Sequence, residues 1–294
     1  MTLNGYVNPS KLPRLNRLFR PSGNCLDVAI DHGVFNEYSF LDGLRDMPSV
    51  VRALAAAGAD AIQVNVGQAD LLQAIPGKDR PALVLRVDVG NPYNATTHRV
   101  MFDQLQDDTD PILGAIRMDA ALVVCNLLIL PDEPELHRQT VRNVGRLRTL
   151  CDTYGMPLMV EPLIMRPNDA RGGYQVNGDK SLIVPLVRQA RELGADIIKA
   201  DPTDRPEDFA EVIEAARCPV LVRGGGKEDL RTVFDKAVAF MAQGARGLVY
   251  GRNIYQHPDM GRVTQALLAI IHDGAGSSEA WDIYSRSTAG AIAG

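Results

Sequence analysis

The sequence lacks the features that define several large classes of protein. Its 294 residues include four cysteines, which form no CxxC pair, and five histidines, which show no HxH or HxxxH spacing. We therefore expect reduced core cysteines, no bound metal and no other cofactor. There is no GxSxG elbow, P-loop or glycine-rich dinucleotide fingerprint. Nothing in the sequence therefore supports a serine hydrolase, a P-loop NTPase or a Rossmann dehydrogenase.

Long apolar runs and dense basic stripes are also absent. No run approaches the roughly 20 apolar residues of a membrane span, and the net charge is −5, so we expect no membrane or nucleic-acid partner. The polar, basic N-terminus has no apolar signal core, and Pro9 and Pro13 should interrupt any amphipathic helix there. We expect a soluble, cytoplasmic protein.

What the sequence does contain is a repeated change of period. Short runs rich in Val, Ile and Leu alternate with longer helical patterns, which is typical of a parallel sheet wrapped by helices. The predicted strands are Cys25–Asp31, Asp60–Val66, Ala82–Val89, Ala121–Leu128, Pro157–Leu163, Asp196–Ala200, Pro219–Arg223 and Gly247–Tyr250. The predicted helices are Pro48–Ala57, Ala69–Ala74, Pro111–Arg117, Glu133–Tyr154, Leu182–Leu193, Pro206–Ala216, Lys227–Gln243 and His257–His272.

One helix-to-strand junction recurs three times, with Gly58, Gly194 and Gly244 each followed by Ala and a charged residue. Glycine commonly ends a helix in the left-handed conformation. The repetition favours an α/β protein with a single (β/α)8 TIM barrel over an open doubly wound sheet. We predict one barrel domain with an N-terminal extension (about 1–23) and a C-terminal tail (about 274–294), either frayed or packed on a neighbouring subunit. Because barrel enzymes often associate, we expect a homo-oligomer.

Lys199 lies near the end of an otherwise apolar strand, in the run Asp196-Ile197-Ile198-Lys199-Ala200-Asp201. If its side chain faces the barrel interior, the ammonium must be paired, exposed at the mouth, or deprotonated. A partly desolvated lysine has a lowered pKa and can attack a carbonyl to form an imine. Alternatively, Lys199 is a structural residue paired with Asp201 or Asp31.

Two glycine turns follow the seventh and eighth strands. Arg223 is followed by Gly224, Gly225 and Gly226, and Tyr250 by Gly251 and Arg252. Barrels commonly bind phosphate with backbone N–H groups at these two positions, and an arginine can add a planar fork of donors. We predict an anion site at the two turns.

Other polar residues lie at strand ends on the same face. Asp31 ends the first strand and could accept a proton, orient a hydroxyl or hold the lysine ammonium, while His32 beside it is a candidate ligand or a support. Glu161 lies in an apolar strand, where a glutamate is rarely buried unless paired. Arg86 is a further candidate substrate ligand, or a partner for Asp88.

Four motifs together give a resemblance that spans nearly the whole barrel. They begin at Asp31-His32-Gly33, Gly194-Ala195-Asp196, Pro219-Val220-Leu221 and Gly251-Arg252-Asn253. With them the chain resembles the class I, Schiff-base aldolases that include archaeal-type fructose-bisphosphate aldolase, tagatose-bisphosphate aldolase, sulfofructose-phosphate aldolase and the autoinducer-2 thiolase. The resemblance implies a metal-independent lyase of carbohydrate metabolism.

The resemblance further implies that Lys199 forms the imine, that Asp31 lies beside it, and that Gly225, Gly226, Gly251 and Arg252 hold a phosphate. Archaeal-type fructose-bisphosphate aldolases carry a proton-transferring Tyr after strand five.

Because this sequence has Glu161 in that region and no Tyr, we expect a phosphorylated or sulfonated ketose other than fructose 1,6-bisphosphate, with Glu161 in proton transfer. A thiolase using coenzyme A on a phosphorylated diketone and a non-catalytic sugar-phosphate-binding barrel are the alternatives.

Overall fold

A computed structural model describes residues 8–93, 100–107, 109–169 and 173–286. Eight parallel strands form a closed ring, in which each strand pairs with the next and the eighth pairs with the first. The predicted (β/α)8 barrel is confirmed. The barrel strands are β1 Cys25–Ala29, β2 Ala61–Asn65, β3 Ala82–Arg86, β4 Leu122–Ile129, β5 Leu158–Pro167, β6 Ile197–Ala200, β7 Val220–Arg223 and β8 Gly247–Tyr250.

The helices pack around this ring and bury its outer face in one large apolar cluster. Eight of them begin and end within a few residues of the predicted bounds, and the first, the short ninth and the last were not predicted. The helices are α1 Leu12–Leu18, α2 Met47–Ala56, α3 Ala69–Gln73, α4 Pro111–Arg117, α5 Pro134–Tyr154, α6 Lys180–Glu192, α7 Phe209–Ala216, α8 Leu230–Ala242, α9 Arg252–Tyr255, α10 Met260–Leu268 and α11 Ser277–Ser285.

The repeated junctions have the backbone geometry that their glycines predicted. Gly58, Gly194 and Gly244 have φ angles of 86°, 103° and 99°, values that residues with a Cβ rarely adopt. Each glycine therefore reverses the chain between a helix and the following strand, as expected.

The N-terminal segment closes one end of the barrel. Our expectation that prolines would prevent a helix there is wrong, because α1 begins at Leu12 with Pro13 in its first turn, where proline loses no hydrogen bond. Leu15, Leu18 and Phe19 join the apolar cluster inside the barrel. Lys11, fully buried, contacts Asp152 at 2.7 Å and Asp196 at 2.8 Å.

The other end of the barrel carries the long loops. Strand Asp88–Gly90 pairs antiparallel with Asp103–Leu105, and Tyr174–Val176 pairs with the end of β5. These short ribbons lie in the loops predicted over 90–110 and 166–180, parts of which lie outside the described residues. These loops follow the carboxyl ends of β3 and β5, which is the end of the barrel where barrel enzymes have their active sites.

The C-terminal tail was predicted to be frayed or packed on a neighbouring subunit. Up to residue 286 it is folded rather than frayed, and packing on a neighbouring subunit stays a prediction. Helix α11 contacts α8 and α10 of its own barrel, and the Arg231 guanidinium lies 3.8 Å from the centroid of the Trp281 ring. Residues 287–294 lie outside the described part. Among the described residues, no helix combines the length and apolar character needed to cross a membrane. All four cysteines are free, as expected, and three of them are buried.

Candidate active site

Lys199 lies inside the barrel mouth, near the carboxyl end of β6. Its side chain is 5% exposed, and its Nζ lies 3.1 Å from Glu161 Oε2 and 3.3 Å from Gln63 Oε1. Asp31 and Asp201, the partners considered for a structural lysine, pair with Arg86 and Arg223 instead. The amine is therefore held by one carboxylate and one amide at the wall of a pocket.

Glu161 is the shared partner of three cations. Besides Lys199, it contacts Arg86 through Oε2, and its Oε1 lies 2.9 Å from Arg223 Nε. Burial alone would raise the pKa of this carboxyl, but the three cations outweigh it and hold the pKa at about 2. Glu161 is ionised at any physiological pH.

Arg86 organises the carboxylates of the mouth. Its fully buried guanidinium contacts Asp31 and Glu161 and lies 2.8 Å from Asp88 and 3.1 Å from Asn126. The expected pairing of Arg86 with Asp88 is thus present. With four protein partners, the side chain lines the pocket while its donors point into the wall.

Asp31 follows β1 and shares this network. Its Oδ2 accepts hydrogen bonds from Arg86 and, at 2.6 Å, from Gln63 Nε2. Burial raises the pKa of Asp31, but the attraction of Arg86 and Lys199 for the carboxylate outweighs burial. The pKa of Asp31 therefore lies below its ordinary value. Gln63 therefore bridges Asp31 and Lys199, donating to the first and accepting from the second.

His32 lies among aromatic rings at the pocket wall. Its ring centroid is 5.4 Å from that of Phe40 and 5.2 Å from that of Tyr255. Burial lowers the pKa of His32 to about 3, so the imidazole is neutral. Gly251 lets the chain pack against it, since a Cβ there would lie 2.6 Å from His32 Cε1 and 2.7 Å from the Ala29 carbonyl oxygen.

The two glycine turns meet on one side of the pocket. Arg252 donates to the Gly225 carbonyl oxygen at 3.1 Å and lies 4.7 Å from the centroid of the Phe40 ring. Apart from the chain neighbours of each glycine, no atom of the described residues lies within 4 Å of the position a Cβ would take at Gly225 or Gly226. The Gly224 N–H, in contrast, donates to the Val249 carbonyl oxygen. The turns thus present open backbone beside a cation.

One pocket brings nearly all of the predicted site residues together. Its walls include Asp31, His32, Arg86, Glu161, Lys199, Gly224, Gly225, Gly251 and Arg252. Gly226 lines an adjoining outer pocket that shares Phe40, Tyr93 and Arg252 with the first. The depth of the pocket is charged, and its mouth is aromatic.

Sequence reasoning missed three polar residues that line the pocket, Tyr93, Arg223 and Asn253. It also missed two polar residues buried outside this lining, Gln63 and Asp27. Tyr93 comes from the loop after β3 and contacts Arg223, which lies 2.7 Å from Asp201. Asp27, Gln63 and Arg223 share a sequence signal, because each is a polar residue in an apolar strand, the criterion that singled out Glu161. Tyr93 has no such signal, since a loop has no period.

The arrangement suits covalent chemistry on a carbonyl. A buried amine next to an ionised carboxylate can attack a carbonyl, and the glycine turns can hold an anionic group of the same molecule. Within the described residues, no group of three His, Cys, Asp or Glu side chains could hold a metal ion.

The chain matches proteins of known family. Residues 25–257 match the DeoC/LacD family aldolase. An uncharacterized aldolase of Saccharolobus solfataricus is 29% identical over 92% of this chain and 97% of its own. The 2-amino-3,7-dideoxy-D-threo-hept-6-ulosonate synthase of Halobacterium salinarum is 28% identical over 92% and 94%. The 3-hydroxy-5-phosphonooxypentane-2,4-dione thiolase of Escherichia coli is 25% identical over 92% and 85%.

A solved structure gives the same fold. It is an archaeal fructose-1,6-bisphosphate aldolase whose catalytic Lys is covalently bound to the carbinolamine intermediate of its substrate. The two folds agree with a TM-score of 0.73, at 23% identity, over 89% of this chain and 99% of that chain. The resemblance drawn from the motifs is confirmed.

Proposed function

We propose, from the premise that this chain belongs to the DeoC/LacD aldolase family and is a lyase, that it cleaves or forms a carbon–carbon bond of a phosphorylated ketose through a Schiff base on Lys199. The observation that carries the proposal is the position of Lys199, whose Nζ lies 3.1 Å from Glu161 at the wall of a charged pocket. An amine in that place can meet a carbonyl that enters from the mouth.

In the proposed reaction, Lys199 attacks the ketone carbonyl, and loss of water leaves a protonated imine. A carboxylate, Glu161 or Asp31, removes the proton of the hydroxyl next to the breaking bond. The electron pair of the carbon–carbon bond moves into the imine, an aldehyde leaves, and an enamine remains. Protonation and hydrolysis of the enamine release a ketone such as dihydroxyacetone phosphate and regenerate the amine.

The charge distribution supports this order of events. Glu161 contacts the amine and two arginines, so it stabilises the cationic imine without moving. Proton transfer by a positioned group contributes roughly 10²–10⁴-fold to a rate. We propose that Arg86 acts by fixing the two carboxylates, whereas Gly225, Gly226, Gly251 and Arg252 hold the substrate phosphate.

Trapping tests the imine directly. A panel of ketose phosphates and a ketose bearing a terminal sulfonate is incubated with the protein and borohydride, and peptides are analysed by mass spectrometry. We expect a reduced adduct on the peptide with Lys199 and none in Lys199→Met. An adduct on another lysine, or turnover that survives Lys199→Met, would overturn the proposal.

The proton-transfer residue is separated by two variants. Glu161→Gln should reduce turnover by about 10²–10⁴-fold if this carboxylate moves the proton, while Asp31→Asn should have the smaller effect. If Asp31→Asn costs more and Glu161→Gln costs little, the roles are exchanged. Trapping on Lys199 should persist in both variants.

A thiolase is the second candidate, because one relative is named as a thiolase for 3-hydroxy-5-phosphonooxypentane-2,4-dione. In that reaction Lys199 would still activate a ketone, and coenzyme A would take the acyl fragment. Thioester formed on adding coenzyme A with a phosphorylated diketone would favour it, and aldehyde release from a ketose phosphate alone would favour the aldolase.

A further inference from the structure

Asp27 is a buried carboxyl that the proposed reaction does not use. It lies in the middle of β1 and is 0% exposed. Its neighbours in the two adjoining ladders are Ala61 and Val249, both apolar. Neither carboxyl oxygen has a hydrogen-bond partner among the described residues. An ionised carboxylate in such surroundings is costly, and a group of this kind gives up its charge unless a cation lies nearby.

The nearby cation is Lys199. Asp27 lies two residues before Ala29 on β1, so the two side chains point to the same side of the sheet. Ala29 and Val249, the ladder neighbour of Asp27 on β8, both line the pocket that contains Lys199. The charged groups that act on Asp27 from the surrounding strands are Lys199, Asp31, Glu161 and Arg86. Cys25 lies two residues before Asp27 on β1 and points to the same side of the sheet. It is a fully buried thiol whose pKa is raised by burial.

Asp27 differs from Glu161 and Asp31 in the pH range over which its carboxyl group changes charge. Burial raises the pKa of Asp27 to about 7, even though Lys199 attracts its ionised form. Glu161 and Asp31 have lowered pKa values and stay ionised. Of these three carboxyls, only Asp27 therefore gains or loses its charge near neutral pH.

We propose that Asp27 is a positioning residue that controls the charge of the Lys199 amine from below the pocket, and so sets the pH at which this amine can attack a carbonyl. Ionised Asp27 stabilises the ammonium, and neutral Asp27 releases it, while Gln63 and Glu161 keep the nitrogen in place. The inference rests on the proposed function only in that Lys199 must act as a free amine.

Carbamylation by cyanate measures the free amine without substrate, because cyanate reacts with neutral amines. The wild type and Asp27→Asn are treated at pH 8, and mass spectrometry follows Lys199, with the exposed Lys78 as internal reference. At an effective dielectric of 20, a unit charge within roughly 10 Å is worth about one pKa unit, so Lys199 should react about tenfold faster in Asp27→Asn. Equal rates would overturn the proposal.

A reciprocal measurement does not depend on access of a reagent. Linkage requires that Lys199 act on Asp27 as Asp27 acts on Lys199. The Asp27 carboxyl signal, identified by its loss in Asp27→Asn, is titrated by carbon-13 NMR in the wild type and in Lys199→Met. Its midpoint should move to higher pH in Lys199→Met, and an unchanged midpoint contradicts the coupling.

Asp196→Asn is the matched control, because it removes a buried carboxylate that pairs with Lys11 at the other end of the barrel. It should lower the thermal midpoint without changing the reactivity of Lys199. If borohydride traps no substrate in the wild type while both couplings are present, the proposed function is wrong and the role of Asp27 stands. If borohydride traps substrate on Lys199 but neither coupling is found, the proposed function stands and the role of Asp27 is wrong.

Discussion

Lys11 and Lys199 are both buried, at opposite ends of the same barrel, and their surroundings differ in a way that separates stability from chemistry. Lys11 contacts two carboxylates at 2.7 and 2.8 Å beneath the helix that closes the barrel. Lys199 has one carboxylate, which two arginines also contact, and it lines a pocket. Lys11 has two carboxylates and does not line the pocket, which suits a structural role, whereas Lys199 has one carboxylate and faces a space that a substrate can enter.

The largest effect should come from removing the reactive amine. Lys199→Met should lower turnover by at least roughly 10⁴-fold, on the scale that loss of a nucleophile costs other covalent enzymes. Because Glu161 keeps two arginine partners, the fold should survive. Steady-state kinetics and circular dichroism check this, and a variant that retains a tenth of the activity contradicts it.

Lys11→Met should lower the stability of the fold and leave turnover nearly unchanged, the reverse of Lys199→Met. Breaking a buried pair leaves a carboxylate without its cation, and the free energy of unfolding should fall by about 3 kcal/mol. We place it at the low end of the usual range because the Asp152 side chain is about one-third exposed. Turnover per folded molecule should stay within about twofold of the wild type. Urea unfolding and activity at low temperature measure the two quantities.

Two glycine variants at the pocket end of the barrel should separate an effect on stability from an effect on substrate binding. Gly251→Ala places a Cβ against His32 and the Ala29 carbonyl, and it should cost about 1–3 kcal/mol of stability. Gly226→Ala has open space, so stability should change by less than about 0.5 kcal/mol while KM for a phosphorylated ketose rises. If KM is unchanged in Gly226→Ala, the phosphate does not approach this turn.

The smallest effect concerns His32 and acid. The folded protein keeps His32 neutral with a pKa of about 3, so below pH 6.5 the unfolded chain binds a proton that the folded chain does not. Stability therefore falls as pH falls, by about 1 kcal/mol between pH 7 and pH 5.5 for this group. The loss should be absent from the same titration of His32→Asn, and equal slopes would show that His32 is protonated in the fold.

The barrel could be predicted because its signals are local. Alternating periods and the glycines at 58, 194 and 244 indicate the strands and the junctions without any tertiary contact. The N-terminal helix was missed because Pro13 was treated as a helix breaker, although a proline in the first turn is compatible with a helix. Proline breaks a helix when it lies in the helix interior, so its position must be known before a helix is excluded.

The site was predictable to the extent that a charge in an apolar strand stands out. Lys199 and Glu161 were found in this way, and Asp27 satisfies the same criterion, since it is the one charged residue of the otherwise apolar strand β1. The partners could not be found, because which carboxylate Lys199 contacts depends on the register of eight strands. Tyr93 reaches Arg223 from a loop, whose path no periodicity specifies.

The stacking of Trp281 on Arg231 gives this protein a built-in optical reporter. It is the sole tryptophan of the sequence, and it belongs to the terminal helix that packs on α8 and α10. Its fluorescence therefore registers whether that helix is docked, while far-ultraviolet circular dichroism registers the barrel. Denaturation curves that coincide would mean that the terminal helix and the barrel melt as one cooperative unit, and curves that separate would give the order in which they come apart.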